Sequence, residues 1–489
     1  MGRVLARTVT HALVGLDARR VEVEAHLQSS VPAFAIVGLA DRACSEAKER
    51  VRSGISSAEL EWPLRRITVN LAPAGLRKEG SGFDLPIALS ILAASGQIPR
   101  ERLAEHSAVG ELALDGRLRP VGGVLALAEA ARHAGLPRIL CPASSAAEAA
   151  LAGIEPVPVR HLADAAAYLR GEREPEPWVE GNGHPPEEPL PDLSDVRGQE
   201  RARRALEIAA TGGHNLLLAG PPGTGKTMLA RRLPAILPPL STPEALEVTR
   251  IHSVAGMLSA DRPLITARPL RSPHYNVSVA ALVGGGPGPK PGEVSLAHRG
   301  VLVLDEFAEF QRPALEALRQ PLEDGLVSIA RVGGRATFPA RFQLVAAMNL
   351  CPCGARGDPA ADCKCSPQRL AAFRDKLSRA LLDRFDLVVA MPRPRAAELA
   401  APPGEESGAV RFRVSVGRQQ LEARRADWSK EATELLDRAV ERLPLSGRGR
   451  ARARRVAETI AALAGEPAVG ADHLAEALSY RSLTELSAR

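Results

Sequence analysis

The chain runs to 489 residues, 45% hydrophobic and 25% charged, which suggests about three domains with apolar material enough for packed cores. No stretch approaches the roughly 18 apolar residues of a membrane span, the opening MGRVLARTVTHALVGL holds no signal-peptide run, and six cysteines in so long a chain argue against a disulfide framework. A soluble, cytoplasmic protein is expected, without a membrane partner. A net charge of +6 and a pI near 9.2 suit a polyanionic partner. With aromatics at only 3%, any nucleic-acid contact rests on backbone charge more than on base stacking.

From Val4 to about Leu169, strand-like runs (VEVEAHL, AFAIVGL, RITVNLAP) alternate with helical ones (DRACSEAKERVRSGI, FDLPIALSILAASG, VLALAEAARHAG). That is the pattern of a mixed α/β domain over residues 1–170, in which Cys44 and Cys141 read as lone core residues. Residues 171–191, GEREPEPWVEGNGHPPEEPLP, are too polar and too broken to pack and predict a linker. No period of about 20–50 residues recurs, which excludes a solenoid or propeller.

A second unit, residues 192–394, opens with LSDVRGQERARRALEIAATGGHN, a turn at Gly198 followed by a helix, placed to touch a nucleotide base. It leads into HNLLLAGPPGTGKTMLA: an apolar strand from Leu216 to Leu218, a glycine-rich turn, then a helix start. In the turn Gly220-Pro221-Pro222-Gly223-Thr224-Gly225, the glycines free the backbone to wrap with its N–H groups inward, so that phosphates meet amides and a helix N-terminus. Lys226 then reaches the β/γ-phosphates of ATP and Thr227 sets its hydroxyl on Mg²⁺, completing G-x-x-x-x-G-K-[ST] in the strand-to-helix setting it requires. Downstream, HRGVLVLDEF gives a buried parallel strand from Val301 to Leu304 that ends in Asp305 and Glu306. An acidic pair at a strand's carboxyl end assigns Asp305 to the metal and Glu306 to the general base.

RFQLVAAMNL predicts another buried strand, ending in Asn349, whose amide is placed to hold the attacking water and sense the γ-phosphate; a turn-forming asparagine is the alternative. Cys351, Cys353, Cys363 and Cys365 follow as C-P-C-x₉-C-K-C around a turn-rich loop, a set that takes one Zn²⁺ tetrahedrally or stands as reduced structural thiols. RLAAFRDKLSRALLDRFDLVV then predicts an amphipathic helix with Arg374, Arg379 and Arg384. An arginine that reaches a neighbour's γ-phosphate makes hydrolysis depend on assembly, and Arg384, at the helix end, is the candidate. Helical patterns fill residues 395–489, predicting an all-α lid. One of its helices opens with Arg448, Arg450, Arg452, Arg454 and Arg455, dense enough to touch phosphate.

Taken together, GPPGTGKT, LVLDE, the strand-end Asn, the helix-end Arg and the lid arginine resemble the AAA+ ATPases over residues 193–489. RSPHYNVSVAALVGGG, PGEVSLAHRG, MNLCPCG…CKCSP and the N-terminal KEGSGFDLPIAL look like the Mg-chelatase-like ATPases of the ComM/YifB type, extending the resemblance over nearly the whole chain. It implies an α/β architecture of three parts: a Lon-protease-like front domain, an AAA+ P-loop core with a parallel sheet, and a helical lid. It further implies a ring-forming, hexameric homo-oligomer that acts on single-stranded or branched DNA without reading sequence, with branch migration in recombination and natural transformation as the leading role. The resemblance matches Lys226 and Thr227, Asp305 and Glu306, Asn349 as sensor, Arg384 in LLDRFDL as trans finger, and Arg448 in LSGRG as the lid arginine that contacts γ-phosphate.

Lon-type proteases place a serine after K-D-G-P and a lysine just after a later G-G, forming a Ser–Lys dyad. Here Lys78-Glu79-Gly80-Ser81-Gly82 puts Gly82 in the nucleophile's place, and Leu125 stands where the lysine would follow Gly122 and Gly123. The resemblance thus supports the fold and argues against peptidase activity. By analogy with ring motors, DNA would meet two hairpins of the core: VGGGPGPKP with Lys290, and LVSIARVGGRATF with Arg331 and Arg335 flanking its turn. Two rival readings use the same core. A metal-chelatase motor would ignore DNA and respond to a partner subunit, and an unfoldase would favour an aromatic pore loop, which neither tip contains.

Overall fold

The computed structural model describes residues 5–38, 42–178, 190–286, 289–331, 334–423, 426–442 and 445–481. Most of the expected linker and both hairpin tips lie outside the described residues, as do the side chains of Cys44 and Arg331.

The front domain is built on one sheet of seven strands: β1 (Leu5–Val14), β2 (Asp17–Gln28), β3 (Ala33–Val37), β4 (Arg66–Ala72), β5 (His106–Ala108), β6 (Arg138–Pro142) and β7 (Glu155–Val159). Their spatial order is β3-β4-β2-β1-β5-β6-β7; β2 runs antiparallel to β1 and β4, and the other neighbours are parallel. Alternation decides which face is inside: in RITVNLA, Ile67, Val69 and Leu71 are buried and the residues between them are not. The helix Asp84–Ala94 is buried on every side, and its Asp84 is held by Arg50 at 2.6 Å and by the Leu112 N–H at 3.1 Å. Cys141 is fully buried in the core, and burial pushes its thiol up to about 12.

The second sheet contains β8 (Leu216–Ala219), β9 (Leu270–Arg271), β10 (Val301–Leu304), β13 (Gln343–Met348) and β14 (Leu387–Ala390), all parallel, in the order β9-β10-β13-β8-β14. Between β10 and β13 a hairpin of β11 (Leu326–Arg331) and β12 (Gly334–Pro339) stands apart. β8, β10 and β13 are buried at every residue because both faces of the sheet are covered, which is why they read as unbroken apolar runs. Leu216 and Leu218 pack with Leu206, Val456 and Ile460 on one face; Leu217 and Ala219 pack with Phe307, Phe338 and Phe385 on the other. The phosphate loop, Asp305 and Asn349 follow β8, β10 and β13, so the topology gathers them at the carboxyl ends of adjacent strands.

The C-terminal helices Ser407–Ala423, Lys430–Arg442, Gly447–Ala464 and Ala471–Ser479 fall where the patterns put them, and they pack directly on the sheet, while two other sequence expectations change. Val456, Ile460 and Leu474 complete the core of the sheet, the Val388 N–H donates to the Tyr480 carbonyl at 2.8 Å, and Asp427–Trp428 pairs with Ala468–Val469. The single helix expected around Arg374 to Arg384 is two, Pro367–Asp375 and Arg379–Leu382, because the Ser378 hydroxyl caps the second by accepting the Leu381 N–H. The start of the expected linker is docked: Arg173 pairs with Asp164, Arg160 with Glu176, and Trp178 packs on the front core.

Front domain and core meet along the helices Val124–His133 and Thr242–Val254. The Gly123 N–H donates to the Ser253 carbonyl at 2.9 Å, Arg250 pairs with Glu129 at 2.6 Å, and buried Glu148 accepts from the Leu125 N–H and the Ser253 hydroxyl. Burial raises the Glu148 carboxyl above its ordinary range. Among the described residues, no helix is long and apolar enough to cross a membrane.

Candidate nucleotide-binding site

The turn between β8 and the helix Lys226–Ala230 is shaped by backbone demands. Gly223 and Gly225 stand at φ 77° and 88°, in the left-handed region that favours glycine. A Cβ on Gly220 would lie 2.2 Å from the Met391 carbonyl oxygen, so only glycine lets the loop pass beneath that strand end. The Thr224 hydroxyl donates to the Pro221 carbonyl at 3.0 Å and fixes the turn from within.

Lys226 is 8% exposed and donates to the carbonyls of Gly220 at 2.8 Å and Pro221 at 2.7 Å and to Asn349 Oδ1 at 3.3 Å. Burial lowers its ammonium to about 8, an effect that Asp305 partly offsets. Thr227 Oγ1 donates to Asp305 Oδ2 at 2.8 Å, while Asp305 Oδ1 accepts the Glu306 N–H at 2.9 Å. Glu306 takes φ 52°, a conformation that a non-glycine residue adopts at a cost, and is exposed where it leaves the strand end. Lys226, Thr227, Asp305, Glu306 and Asn349, separate in sequence, therefore lie together. The pair Thr227–Asp305 offers two hard oxygens of the kind Mg²⁺ takes beside substrate phosphates.

Beside this loop lies a cavity of about 720 Å³, lined by Arg197, Gly198, Gln199, Gly220, Pro221 and Leu350 among others. The turn at Gly198 thus borders the cavity beside the phosphate loop. Gln199 was not singled out by its sequence. Held at φ 56°, it donates to the Thr224 carbonyl at 3.3 Å and to the Pro392 carbonyl at 2.8 Å, tying the phosphate loop to the end of β14. The only signal was its place after a turn glycine.

Arg384 lies elsewhere. It precedes β14, at the amino end of the sheet: Asn215, just before β8, donates its side-chain amide to the Arg384 carbonyl at 3.0 Å, and its N–H to Asp386 at 3.0 Å. β8 has four residues, so roughly 13 Å of strand separates this end from the phosphate loop. The Arg384 guanidinium is ion-paired with Glu323, its Nε is buried without a hydrogen-bond partner, and it is 8% exposed. Burial, then Arg448 and Arg319, lower its pKa. Arg448 is 3.7 Å from the same Glu323. The structure therefore places Arg448 beside Arg384, through their shared Glu323, where the C-terminal helices pack on a face and the amino edge of the sheet. Arg452 and Arg455 are held there too, at 3.6 and 3.3 Å from Asp386. Glu323, which joins both arginines, carried no sequence signal.

Family models match most of the chain: magnesium chelatase, subunit ChlI, over residues 192–399; subunit ChlI of Mg-chelatase over 23–145; and the ChlI C-terminal model over 404–481. An uncharacterised protein of Mycobacterium tuberculosis is 47% identical over 498 residues, covering 98% of each chain. The Escherichia coli protein YifB is 41% identical over 505 residues, 98% of this chain and 97% of that one, and the Haemophilus influenzae competence protein ComM is 41% identical over 509 residues, 99% and 98%. The chain belongs to the ComM/YifB-type Mg-chelatase-like family.

Three further features of this ComM/YifB-type chain answer expectations from its sequence. Lys290 pairs in a short hairpin, Gly284–Gly285 with Lys290–Pro291, and both Lys290 and Arg335 are exposed. They line one cavity of about 600 Å³ with His11, Ser81, Gly82 and Gly122 of the front domain. Arg331 lies in β11 with its side chain outside the description. In the front domain the Ser81 hydroxyl donates to Glu111, and fully buried Lys78 donates to the carbonyls of Gly38 and Pro73. The four cysteines converge after β13: Cys351 Sγ is 3.3 Å from Cys353 Sγ and 3.6 Å from Cys363 Sγ, Cys353 and Cys363 are 3.7 Å apart, and all four sulfurs lie within 4.8 Å of one another.

Proposed function

We propose that this protein is an ATP-hydrolysing ring motor, a hexamer of identical chains, that moves single-stranded or branched DNA without reading its sequence. The split of the catalytic groups carries the proposal. Lys226, Thr227, Asp305, Glu306 and Asn349 stand at the carboxyl end of the sheet, whereas Arg384 stands a strand's length away at the amino end. An arginine so placed serves a neighbour's pocket, and a head-to-tail interface repeated in this way closes into a ring.

In that reading the loop amides and Lys226 bind the phosphates of ATP. Thr227 and Asp305 would hold Mg²⁺, which neutralises charge on the β- and γ-phosphates when bound. Glu306 polarises the attacking water, Asn349 orients it, and the neighbour's Arg384 meets the charge that builds on the γ-phosphoryl oxygens. Arg448, beside Arg384, joins it at that interface. Lys290 and Arg335, brought to one cavity against the front domain, would track DNA phosphates, with Arg331 on the same hairpin.

The front domain is read as Lon-protease-like in fold and not a peptidase, supported by Leu125 in the lysine's place and by a Ser81 hydroxyl bonded to a carboxylate rather than to an amine. Competence, in the name of the Haemophilus influenzae relative, supports natural transformation as the setting; within it the role we assign is branch migration, in the cytoplasm. The chelatase family models favour a second reading, a motor that remodels a metal-inserting partner. ATPase rate with and without DNA separates them: stimulation by DNA supports the first, indifference the second.

A further inference from the structure

We propose that Cys351, Cys353, Cys363 and Cys365 hold one Zn²⁺, and that this metal fixes the wall of the nucleotide cavity from which Asn349 and the phosphate loop work. A tetrahedron of Zn–S bonds of about 2.3 Å sets its sulfurs about 3.8 Å apart. The three separations of 3.3, 3.6 and 3.7 Å, with Cys365 within 4.8 Å of the others, are close to that spacing. They are far beyond the S–S bond of about 2.0 Å, so the cluster is not a pair of disulfides. Thiols are weak donors and acceptors, which gives four of them little reason to converge without an ion. The Arg356 N–H donates to Cys351 Sγ at 3.3 Å, the backbone support that a thiolate ligand receives in a metal site.

The consequence for the nucleotide follows from what the loop touches. Only Leu350 separates the sensor Asn349 from the first ligand, Cys351, and residues 349–366 form no helix or strand. The loop lies against the phosphate turn: a Cβ on Gly354 would stand 2.9 Å from Pro222 Cγ, and one on Gly357 would stand 3.0 Å from Leu350 Cδ1 and 4.0 Å from Pro221. Gly357 and Leu350 line the nucleotide cavity with Gly220 and Pro221. Beyond it, Asp358 pairs with Arg393 at 3.1 Å, next to the strand end whose Met391 carbonyl covers Gly220. A segment with one buried cysteine and turn residues has little apolar surface of its own to hold these contacts. Four metal bonds supply the rigidity and set Asn349 against Lys226. This second half rests on the reading of the pocket as an ATPase site; the metal site does not.

The test uses the full-length protein purified under reductant. Elemental analysis should give one zinc per chain, released by a mercurial. Replacement by Co²⁺ should give the thiolate-to-cobalt charge transfer and visible bands of a tetrahedral four-sulfur site. The double variant Cys363→Ser/Cys365→Ser should lose the metal and hydrolyse ATP about 10²-fold more slowly, as a small misplacement of positioned groups does, while still binding ATP. Cys365→His, which keeps a fourth ligand, should retain zinc and most of the rate, separating loss of metal from loss of fold. Wild type with no zinc and no cobalt spectrum overturns the metal site. Zinc-stripped protein that hydrolyses ATP at the wild-type rate overturns the bracing role alone. Zinc-loaded protein that binds but never hydrolyses ATP overturns the ATPase reading and the bracing with it, and leaves the metal site standing.

Discussion

Replacing Arg384 with alanine tests the division of labour between neighbouring chains. Its guanidinium is roughly a strand's length from its own phosphate loop, since four residues of β8 span about 13 Å, so the substitution leaves the chain's own pocket intact. The cost to folding should be small. Its partner Glu323 is 41% exposed, and a pair so screened is worth at most about 1 kcal/mol. ATP binding should therefore persist while hydrolysis falls by roughly 10³-fold, the scale of a missing transition-state arginine. Mixing gives the sharper assay. A Glu306→Gln chain has a dead pocket and a sound finger, and an Arg384→Ala chain the reverse. In an equal random mixture one interface in four pairs a sound pocket with a sound finger, so roughly a quarter of the wild-type rate should return in a head-to-tail ring. Arg384→Ala alone at full rate, or mixtures as inactive as their components, would refute the trans role.

The remaining expectations concern the pocket and the DNA path. Lys226→Ala should abolish ATP binding in equilibrium titration, because its amine is bonded within the loop to the Gly220 and Pro221 carbonyls, where the phosphates would lie. ATP affinity should also depend on pH. The ammonium stands at about 8 in the empty pocket and bound phosphates raise it, so binding is flat at neutral pH, takes up a proton above about pH 8 and weakens there by up to about tenfold per unit. Calorimetry in buffers of different ionisation enthalpy should detect that proton, and a pH-independent affinity would count against the assignment. Lys290→Glu with Arg335→Glu should cut DNA stimulation and lower the slope of log affinity against log salt by about 2; an unchanged slope would place the DNA elsewhere.

Much of this was legible because the local physics is strong. β8, β10 and β13 announce themselves as apolar runs since both of their faces are covered, and the phosphate loop because its wrap needs glycine where Gly223 and Gly225 stand at positive φ. What escaped the sequence is long-range. Nothing near Arg448 says that its helix packs on the amino edge of the sheet beside Glu323, since an amphipathic stripe specifies that a face is buried and not against what. The meeting of Lys290 and Arg335 in one cavity with Ser81 of the front domain joins residues more than two hundred apart. The helix break before Arg379 was readable, since Ser378 is a good cap, but the apolar periodicity across it masked the stop.

The most direct measurement is the ATPase rate per chain of the full-length protein, titrated in protein concentration with and without single-stranded DNA. If a neighbour's Arg384 completes each pocket and the cycle serves DNA, the rate should climb steeply with concentration and rise further on adding DNA. A rate per chain that is independent of concentration and unmoved by DNA would contradict the account.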